Sequence, residues 1–204
     1  MTATSHRAPP RKRTVVKNRT GPAREHLADI QPGCEVVILT HGQFSLIDVI
    51  TVLLDVTGPA DVTISTWSAA NADLTHAANF LRDGRIRTIR FLVDRSFQTR
   101  QPEYCATLRR LYGDDAIRTA RLHAKFVTIR NDRWNLAVRT SANLNENPRL
   151  ELVEVSDDPA LADFLDGEVD AIFANQPAGT FNGELPPAET RTRIRMGRKV
   201  RTGV

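Results

Sequence analysis

Residues 123–143 read HAKFVTIRNDRWNLAVRTSAN, and this stretch decides how the rest of the chain is interpreted. It contains two apolar runs rich in β-branched and aromatic residues, separated by the turn residues Asn131 and Asp132. Two such runs around a turn predict a β-hairpin, with a long strand over residues 117–129 that returns over residues 134–139.

Lys125 is the only lysine between residues 18 and 198, and it follows His123 by two positions. The chain has 28 basic side chains, but arginine supplies nearly all of them in this range. A compact ammonium can enter a tight pocket that a forked guanidinium does not fit. On a strand, the two side chains point to the same face, about 7 Å apart. A neutral imidazole can attack phosphorus while an ammonium neutralises a non-bridging oxygen, so the pair predicts a phosphate site.

Three further polar residues follow the hairpin and strengthen this prediction. On its own, a histidine near a lysine is more often structural than catalytic. Ser141 and Asn143 lie just past the return strand, where a hydroxyl and an amide reach back to the same face. Glu151 opens the next predicted strand, and a carboxylate there is suited to hold an imidazole in its productive tautomer.

In this order, the residues resemble the motif of the phospholipase D superfamily. His123-Ala124-Lys125 matches its His-x-Lys element, and Ser141-Ala142-Asn143 matches its Ser-x-Asn ending. Glu151 falls where members of the family place a glutamate that orients the histidine. The resemblance covers roughly residues 34–175. Two positions depart from the pattern, because Arg130 replaces the motif's aspartate and Thr140 replaces the glycine before the serine.

The resemblance implies a two-step displacement without a metal or another cofactor. One histidine attacks the phosphodiester to form a phosphohistidine, a second histidine protonates the leaving oxygen, and water completes hydrolysis. Such a site needs two His-x-Lys motifs, and this chain has one. The resemblance therefore implies a homodimer in which His123 of each subunit meets the other at an isologous interface.

Strand and helix patterns alternate before the hairpin. Strands are predicted at residues 35–40, 61–66 and 85–93, helices at residues 43–56, 71–82 and 102–111, and a last strand and helix at residues 150–155 and from 159 onward. The pattern predicts an α/β fold with a mixed, largely parallel sheet flanked by helices, as in the phospholipase D superfamily. The predicted domain spans residues 33–176, between disordered basic arms at residues 1–32 and 177–204.

Charge is segregated along the chain. Residues 1–24 contain seven basic and no acidic side chains, and residues 189–204 contain six basic side chains and one acidic. Basic arms attract a polyanion through counterion release, without reading its sequence. The arm residues predicted to bind nucleic acid, with DNA favoured over RNA, are Arg11, Lys12, Arg13, Arg198, Lys199 and Arg201. The alternative is that both arms are solvated ends.

His41 and Trp67 each follow a predicted strand, at the carboxyl end where open α/β sheets bind ligands. His41 is a candidate for the substrate groove, and Trp67 offers a face on which a base can stack. The alternatives are a loop histidine and a core aromatic, which are the commoner roles at such positions.

The sequence leaves three functions open. A nuclease combines the predicted site with the basic charge, whereas a lipid phosphodiesterase would need an amphipathic membrane-binding helix, which is not evident. The third function is that of a protein without catalytic activity, which keeps the fold and binds nucleic acid or serves as a structural subunit. The absence of a signal peptide pattern and of a disulfide framework favours the cytoplasm and argues against a membrane partner.

Overall fold

The chain folds into a mixed eight-stranded sheet with helices on both faces. The structure is a computed structural model that describes residues 5–6, 13–17, 22–144 and 149–179. The strands are β1 (Thr14–Lys17), β2 (Glu35–Thr40), β3 (Ala60–Thr66), β4 (Ile86–Asp94), β5 (Ile117–Ala120), β6 (Phe126–Arg130), β7 (Asn135–Thr140) and β8 (Glu151–Asp157). The helices are α1 (Arg24–Leu27), α2 (Leu46–Thr57), α3 (Asn71–Arg82), α4 (Phe97–Arg100), α5 (Pro102–Tyr112) and α6 (Pro159–Asn175). A 3₁₀ turn at Asp114–Ala116 precedes β5.

The strand order is β1-β2-β8-β7-β6-β3-β4-β5. β1 and β2 are parallel, as are β3, β4 and β5, whereas the pairings from β2 through β8, β7 and β6 to β3 are antiparallel. All strands except β6 and β8 therefore run in one direction. The predicted mixed sheet is confirmed, but only three of its seven strand pairings are parallel rather than most of them. The parallel pairs are confined to its two ends because the β6–β7 hairpin and β8 lie between β2 and β3.

Alternating side chains of the central strands fill two hydrophobic clusters. In β4, Phe91 and Val93 belong to the larger cluster, which also contains buried residues of α1, α2, α3 and α5. Leu92 faces the other way and packs with Phe126 and with Val169 of α6. Because successive strand residues point to opposite faces, α6 covers one face of the sheet and the other long helices cover the opposite face.

Local signals place the helix ends where the sequence predicts them. Ser45 and Asp48 form a reciprocal capping box at the start of α2, and Gly58 ends this helix with a φ of 72°. Asp158 caps α6, with Pro159 in the first turn. Among the described residues, no helix is both long and apolar enough to cross a membrane.

The single strand predicted over residues 117–129 is wrong. The run is divided into β5, which pairs with β4, and β6, which lies between β3 and β7. Residues 121–125 form a crossover segment that passes over the ends of β4 and β3 before the chain runs back in β6. An extended connection and a strand share one pattern of side chains, so the sequence did not reveal the break.

A disordered arm was predicted over residues 1–32. This prediction is wrong for residues 13–17 and 22–32, which the structure describes. Thr14–Lys17 add a strand to the sheet, beside β2. Ala23, Leu27 and Ile30 are buried in the larger cluster. Their spacing of four and three residues places them on one helical face, which explains why this segment packs.

Asp166 of α6 joins this helix to β6 and gives a test of the fold. Its buried carboxylate accepts hydrogen bonds from the Thr128 hydroxyl at 2.8 Å and from Arg130 Nη1 at 3.2 Å. We expect Asp166→Ala to lower the free energy of unfolding by about 3 kcal/mol, because it leaves a buried hydroxyl and part of a guanidinium unpaired.

Asp163→Ala is the matched control on the same helix. Asp163 also pairs with Arg130, at 2.7 Å, but its side chain is 66% exposed. We expect a loss below about 1 kcal/mol, as is usual for exposed ion pairs. Urea unfolding followed by circular dichroism measures both values, and equal losses would contradict the structural role given to Asp166.

Candidate active site

One edge of the sheet, called here the site edge, collects the polar residues that the sequence singles out. It consists of the carboxyl ends of β2, β3, β4 and β7 and the amino ends of β6 and β8, which the strand directions bring together. Thr40, the last residue of β2, lies opposite Glu151, the first of β8. His123 precedes β6, and Ser141 follows β7 at the same edge.

The crossover segment holds His123 at this edge. The Ser65 hydroxyl donates a hydrogen bond to the Ala124 carbonyl at 3.0 Å, and the Thr140 amide donates to the Lys125 carbonyl at 3.2 Å. These bonds attach the segment to β3 and β7, while His123 itself is exposed. The predicted strand geometry of His123 and Lys125 is therefore wrong, because both precede the first residue of β6.

Asp94 at the end of β4 fixes the beginning of the crossover segment. Its buried carboxylate accepts hydrogen bonds from the Leu122 amide at 2.9 Å and from the Ser96 amide at 2.9 Å, and it also accepts the Ser96 hydroxyl. Burial acts to raise the pKa of Asp94, but these hydrogen bonds outweigh it and leave the pKa below its ordinary value. Sequence reasoning missed this residue, although its position at a strand end was a usable signal.

Lys125 is half-buried beneath the exposed histidine. Its Nζ donates to the His123 carbonyl at 3.1 Å. Burial lowers the pKa of the Lys125 ammonium, and the negative charge of Glu151 opposes this shift without cancelling it. The ammonium therefore lies close to His123 and to Glu151, in surroundings that leave it incompletely solvated.

Glu151 does not contact the imidazole as the resemblance implies. Its carboxylate accepts a hydrogen bond from the Ser141 hydroxyl, whose oxygen in turn accepts from the Leu152 amide at 2.9 Å. Within the described ranges, no side chain hydrogen-bonds the His123 ring. The β7–β8 register explains this contact, because it places Ser141 beside the start of β8 and therefore next to Glu151.

Asn143 has a buried side-chain oxygen, Oδ1, that finds no hydrogen-bond partner among the described residues. Its loop is held in place by a short bridge to the segment after β3, in which the Ala70 amide donates to the Leu144 carbonyl at 2.8 Å and the Leu144 amide donates to the Ser68 carbonyl at 3.2 Å. A buried amide oxygen that lacks a partner among the described residues is one that a further donor can satisfy.

The two candidate groove residues both lie at the site edge. His41 directly follows β2 and is exposed, and its backbone amide donates to Gln43 Oε1 at 2.6 Å. Trp67 directly follows β3, and its ring centroid lies 6.4 Å from that of His123. Arg100, which the sequence did not single out, lies over Trp67 with its guanidinium carbon 3.5 Å from the ring centroid.

The two departures from the motif, Arg130 and Thr140, do not disturb the polar side chains at the site edge. Arg130 is the last residue of β6, about 13 Å along the strand from the site edge. It forms ion pairs with α6 instead. The Thr140 hydroxyl donates to the Leu152 carbonyl at 2.9 Å and accepts from the Ala142 amide at 2.9 Å, so it stabilises the turn that leads to Ser141.

Of the arm residues predicted to bind nucleic acid, the structure describes Arg13, whose Nη2 donates to Glu35 Oε1 at 2.6 Å. This acidic partner raises the pKa of the exposed Arg13 guanidinium. Arg11, Lys12, Arg198, Lys199 and Arg201 lie outside the described residues. In the described part of the chain, no group of three histidine, cysteine or acidic side chains is arranged to hold a metal ion.

Lys125 provides a direct test of this electrostatic arrangement, because the chain has only four lysines. With ¹³C-labelled lysine, NMR titration follows each ammonium separately. We expect Lys125 to titrate below the ordinary value of 10.5, and Glu151→Gln to move its pKa further down by removing the opposing charge. Glu154→Gln is the control, because the Glu154 carboxylate pairs with Arg139 at 3.0 Å. A Lys125 pKa that is unmoved by Glu151→Gln would refute the proximity.

Comparison with known proteins identifies the fold. No protein-family model and no curated protein sequence matches the chain. It is similar to the crystal structure of polyphosphate kinase from Porphyromonas gingivalis, with a TM-score of 0.50 and 12% identity over 72% of this chain. The chain spans 27% of that kinase's length. It is also similar to Nuc from Salmonella typhimurium, a phospholipase D family member, with a TM-score of 0.43 and 12% identity over 59% of this chain and 80% of that one. These are likenesses of fold alone, and the likeness to the kinase supports the α/β fold with a mixed sheet.

Proposed function

We propose that the protein is a metal-independent phosphodiesterase that hydrolyses nucleic acid, with His123 as its nucleophile. The observation that carries the proposal is the crossover segment, which presents the exposed His123 at the site edge with the half-buried Lys125 ammonium bonded to the His123 backbone carbonyl. Ser141 and Asn143 reach this edge from the loop after β7. These are the groups that a phosphoryl transfer without a metal requires: a nucleophile, a cation and hydrogen-bonding side chains.

In the first step, a ring nitrogen of His123 attacks the phosphorus and forms a P–N bond. The bond between phosphorus and the leaving oxygen breaks, and this oxygen takes a proton from a second histidine. In the second step, water attacks the phosphohistidine, gives a proton to the second histidine, and breaks the P–N bond. Both histidines then have their starting protonation states, so the cycle is closed.

Lys125 stabilises the charge that builds on the non-bridging oxygens. Its half-buried position supports this role, because an ammonium with few water contacts exerts a stronger field on a nearby phosphate. The negative charge of Glu151 favours the charged form of the ammonium and so opposes the effect of burial. Through its bond to Ser141, Glu151 also orients a hydroxyl at the same edge. We assign Glu151 to these two tasks rather than to direct contact with His123.

The second histidine comes from a second copy of the chain. The sequence contains His-x-Lys once, and His41 has no lysine two residues later. A twofold axis near the site edge brings His123 of both subunits to one phosphate, with one ring neutral and the other protonated. The unpartnered Oδ1 of Asn143 is consistent with such an arrangement, because a protonated imidazole or a substrate hydroxyl can donate to it.

Nucleic acid is the substrate class that the charges favour. The C-terminal arm is strongly basic, and Arg11, Lys12 and Arg13 add three positive charges near the other end. Such arms raise the affinity for a polyanion without contributing to catalysis. A lipid phosphodiesterase finds no comparable support among the described residues.

Cleavage in the presence of EDTA tests the proposal. We expect the protein to hydrolyse single- or double-stranded DNA or RNA under these conditions, and His123→Ala to lower the rate at least about 1,000-fold, because it removes the nucleophile. His76→Ala is the matched control, since His76 is an exposed histidine on α3. Binding of nucleic acid without cleavage by the wild-type protein would instead indicate a binding protein.

Lys125→Arg tests the role of the compact ammonium in the same assay. We expect it to lower the rate at least about tenfold with little change in unfolding temperature, because a guanidinium keeps the charge but not the shape. Full activity of this variant would contradict the role given to Lys125.

Subunit mixing tests the composite site. After equal amounts of wild-type and His123→Ala subunits have exchanged, we expect about half of the activity of the same amount of unmixed wild-type protein, because each mixed dimer has one histidine. Mixing with His76→Ala, which is itself active, should give the sum of the activities of the two unmixed proteins. A mass of one chain in light scattering, or activity that mixing does not lower, would exclude the shared site.

A further inference from the structure

The arginines at the two ends of the sheet differ in their partners. At the end opposite the site edge, Arg85 pairs with Asp55, Arg87 with Asp61 at 2.8 Å, and Arg130 with Asp163 at 2.7 Å. At the site edge, Arg95 follows β4 and Arg121 begins the crossover segment. Neither of these two side chains forms an ion pair or a hydrogen bond with a residue that the structure describes. Positive charge at the site edge is therefore left uncompensated.

Backbone contacts hold these two arginines close to His123. The Arg95 amide donates to the Ala120 carbonyl at 2.8 Å, and the Leu122 amide donates to the Asp94 carboxylate at 2.9 Å. The end of β4 and the start of the crossover segment are thus tied together on both sides of Arg121. The nearby acidic group, Asp94, accepts hydrogen bonds from Leu122 and Ser96 and lies 3.9 Å from the Arg100 guanidinium, which is the cation that it pairs with.

An aromatic side chain lies beside the imidazole. Trp67 is half-buried, and its ring lies beside that of His123. Arg100 holds it from one side, donating from Nη2 to the Trp67 carbonyl at 3.0 Å and from Nε to the Ser96 hydroxyl at 2.8 Å. A stacking residue, fixed cations and a reactive histidine therefore share one side of the site edge.

We infer that Trp67, Arg95, Arg100 and Arg121 form a binding surface for single-stranded nucleic acid, with a base on Trp67 and neighbouring phosphates on Arg95 and Arg121. The inference rests on the proposed function. It specifies that the substrate is single-stranded and in which direction it crosses the site edge. Bases in a duplex are paired and stacked, so they do not present their faces to a side chain, whereas those of a single strand do. The nucleic-acid strand extends from His123 towards β4 and β5, because the carboxylate of Glu151 makes the β8 side unfavourable for phosphates.

Intrinsic fluorescence tests the stacking, since the chain has only two tryptophans. Trp134 is 2% exposed and lies at the hairpin turn, at the opposite end of the sheet. In the His123→Ala background, which prevents cleavage, we expect a 12-nucleotide single strand to quench the fluorescence. Adding Trp67→Phe should abolish the quenching and weaken binding roughly 5- to 100-fold, while Trp134 continues to report an intact fold. Quenching that persists without Trp67 would overturn the stacking.

The salt dependence of binding tests the two arginines. For the double variant Arg95→Gln with Arg121→Gln, we expect roughly tenfold weaker binding and a slope of log K against log salt that is smaller by about 1.4, or about 0.7 for each lost phosphate contact. Arg133→Gln is the matched control, because Arg133 is exposed at the hairpin turn and has no acidic partner among the described residues. An unchanged slope in the double variant, or equal affinity for a duplex of the same length, would overturn the inference.

These measurements separate this inference from the proposed function. Binding that depends on Trp67, Arg95 and Arg121 without cleavage by the wild-type protein would refute the phosphodiesterase and leave the surface established. Cleavage that is insensitive to all three substitutions would establish the phosphodiesterase and refute the surface.

Discussion

The crossover segment, residues 121–125, is the constraint on which the site depends. It is the only part of the described chain that passes over the ends of β4 and β3, and hydrogen bonds to Asp94, Ser65 and Thr140 determine its path. Without these bonds, an exposed five-residue connection would sample many conformations, and His123 would have no defined orientation. A carboxylate, a hydroxyl and a backbone amide from three different strands thus place one imidazole.

Two kinds of electrostatic environment are separated along the strands. At the end of the sheet away from the site, arginines and aspartates neutralise one another and join α6 to the sheet, as in the contacts of Arg130 with Asp163 and Asp166. At the site edge, Arg95 and Arg121 have no such partner among the described residues, and Lys125 is partly withdrawn from water. Uncompensated charge beside a reactive group costs stability, and its concentration at one edge is typical of a site that binds an anion.

Arg130 shows how the structure changes the meaning of a departure from a motif. In the sequence, an arginine in place of the motif's aspartate raises the possibility of an inactive protein. In the fold, this position lies at the far end of β6 from His123, where the arginine serves the packing of α6. The substitution therefore changes how the helix is held and lies away from His123 and Lys125 at the site edge.

Several features followed from the sequence because they depend on neighbouring residues. The hairpin followed from two apolar runs around Asn131, and the start of α6 followed from Asp158 and Pro159, whereas α2 begins at Leu46, after the Ser45 cap, and not at residue 43 as predicted. The helix limits at residues 71–82 were predicted correctly for the same reason. The break between β5 and β6 was not predicted, because an extended connection and a strand have the same side-chain alternation.

By itself, the sequence determined which chemical groups are present: one His-x-Lys pair, a Ser-x-Asn loop and a glutamate in order along the chain. The tertiary structure alone decided which of them meet. Trp67 lies beside His123 although 56 positions separate them, and Glu151 bonds Ser141 rather than the imidazole, because strand order and register bring distant segments together. Those pairings depend on the packing of both faces of the sheet, which no local pattern of residues encodes.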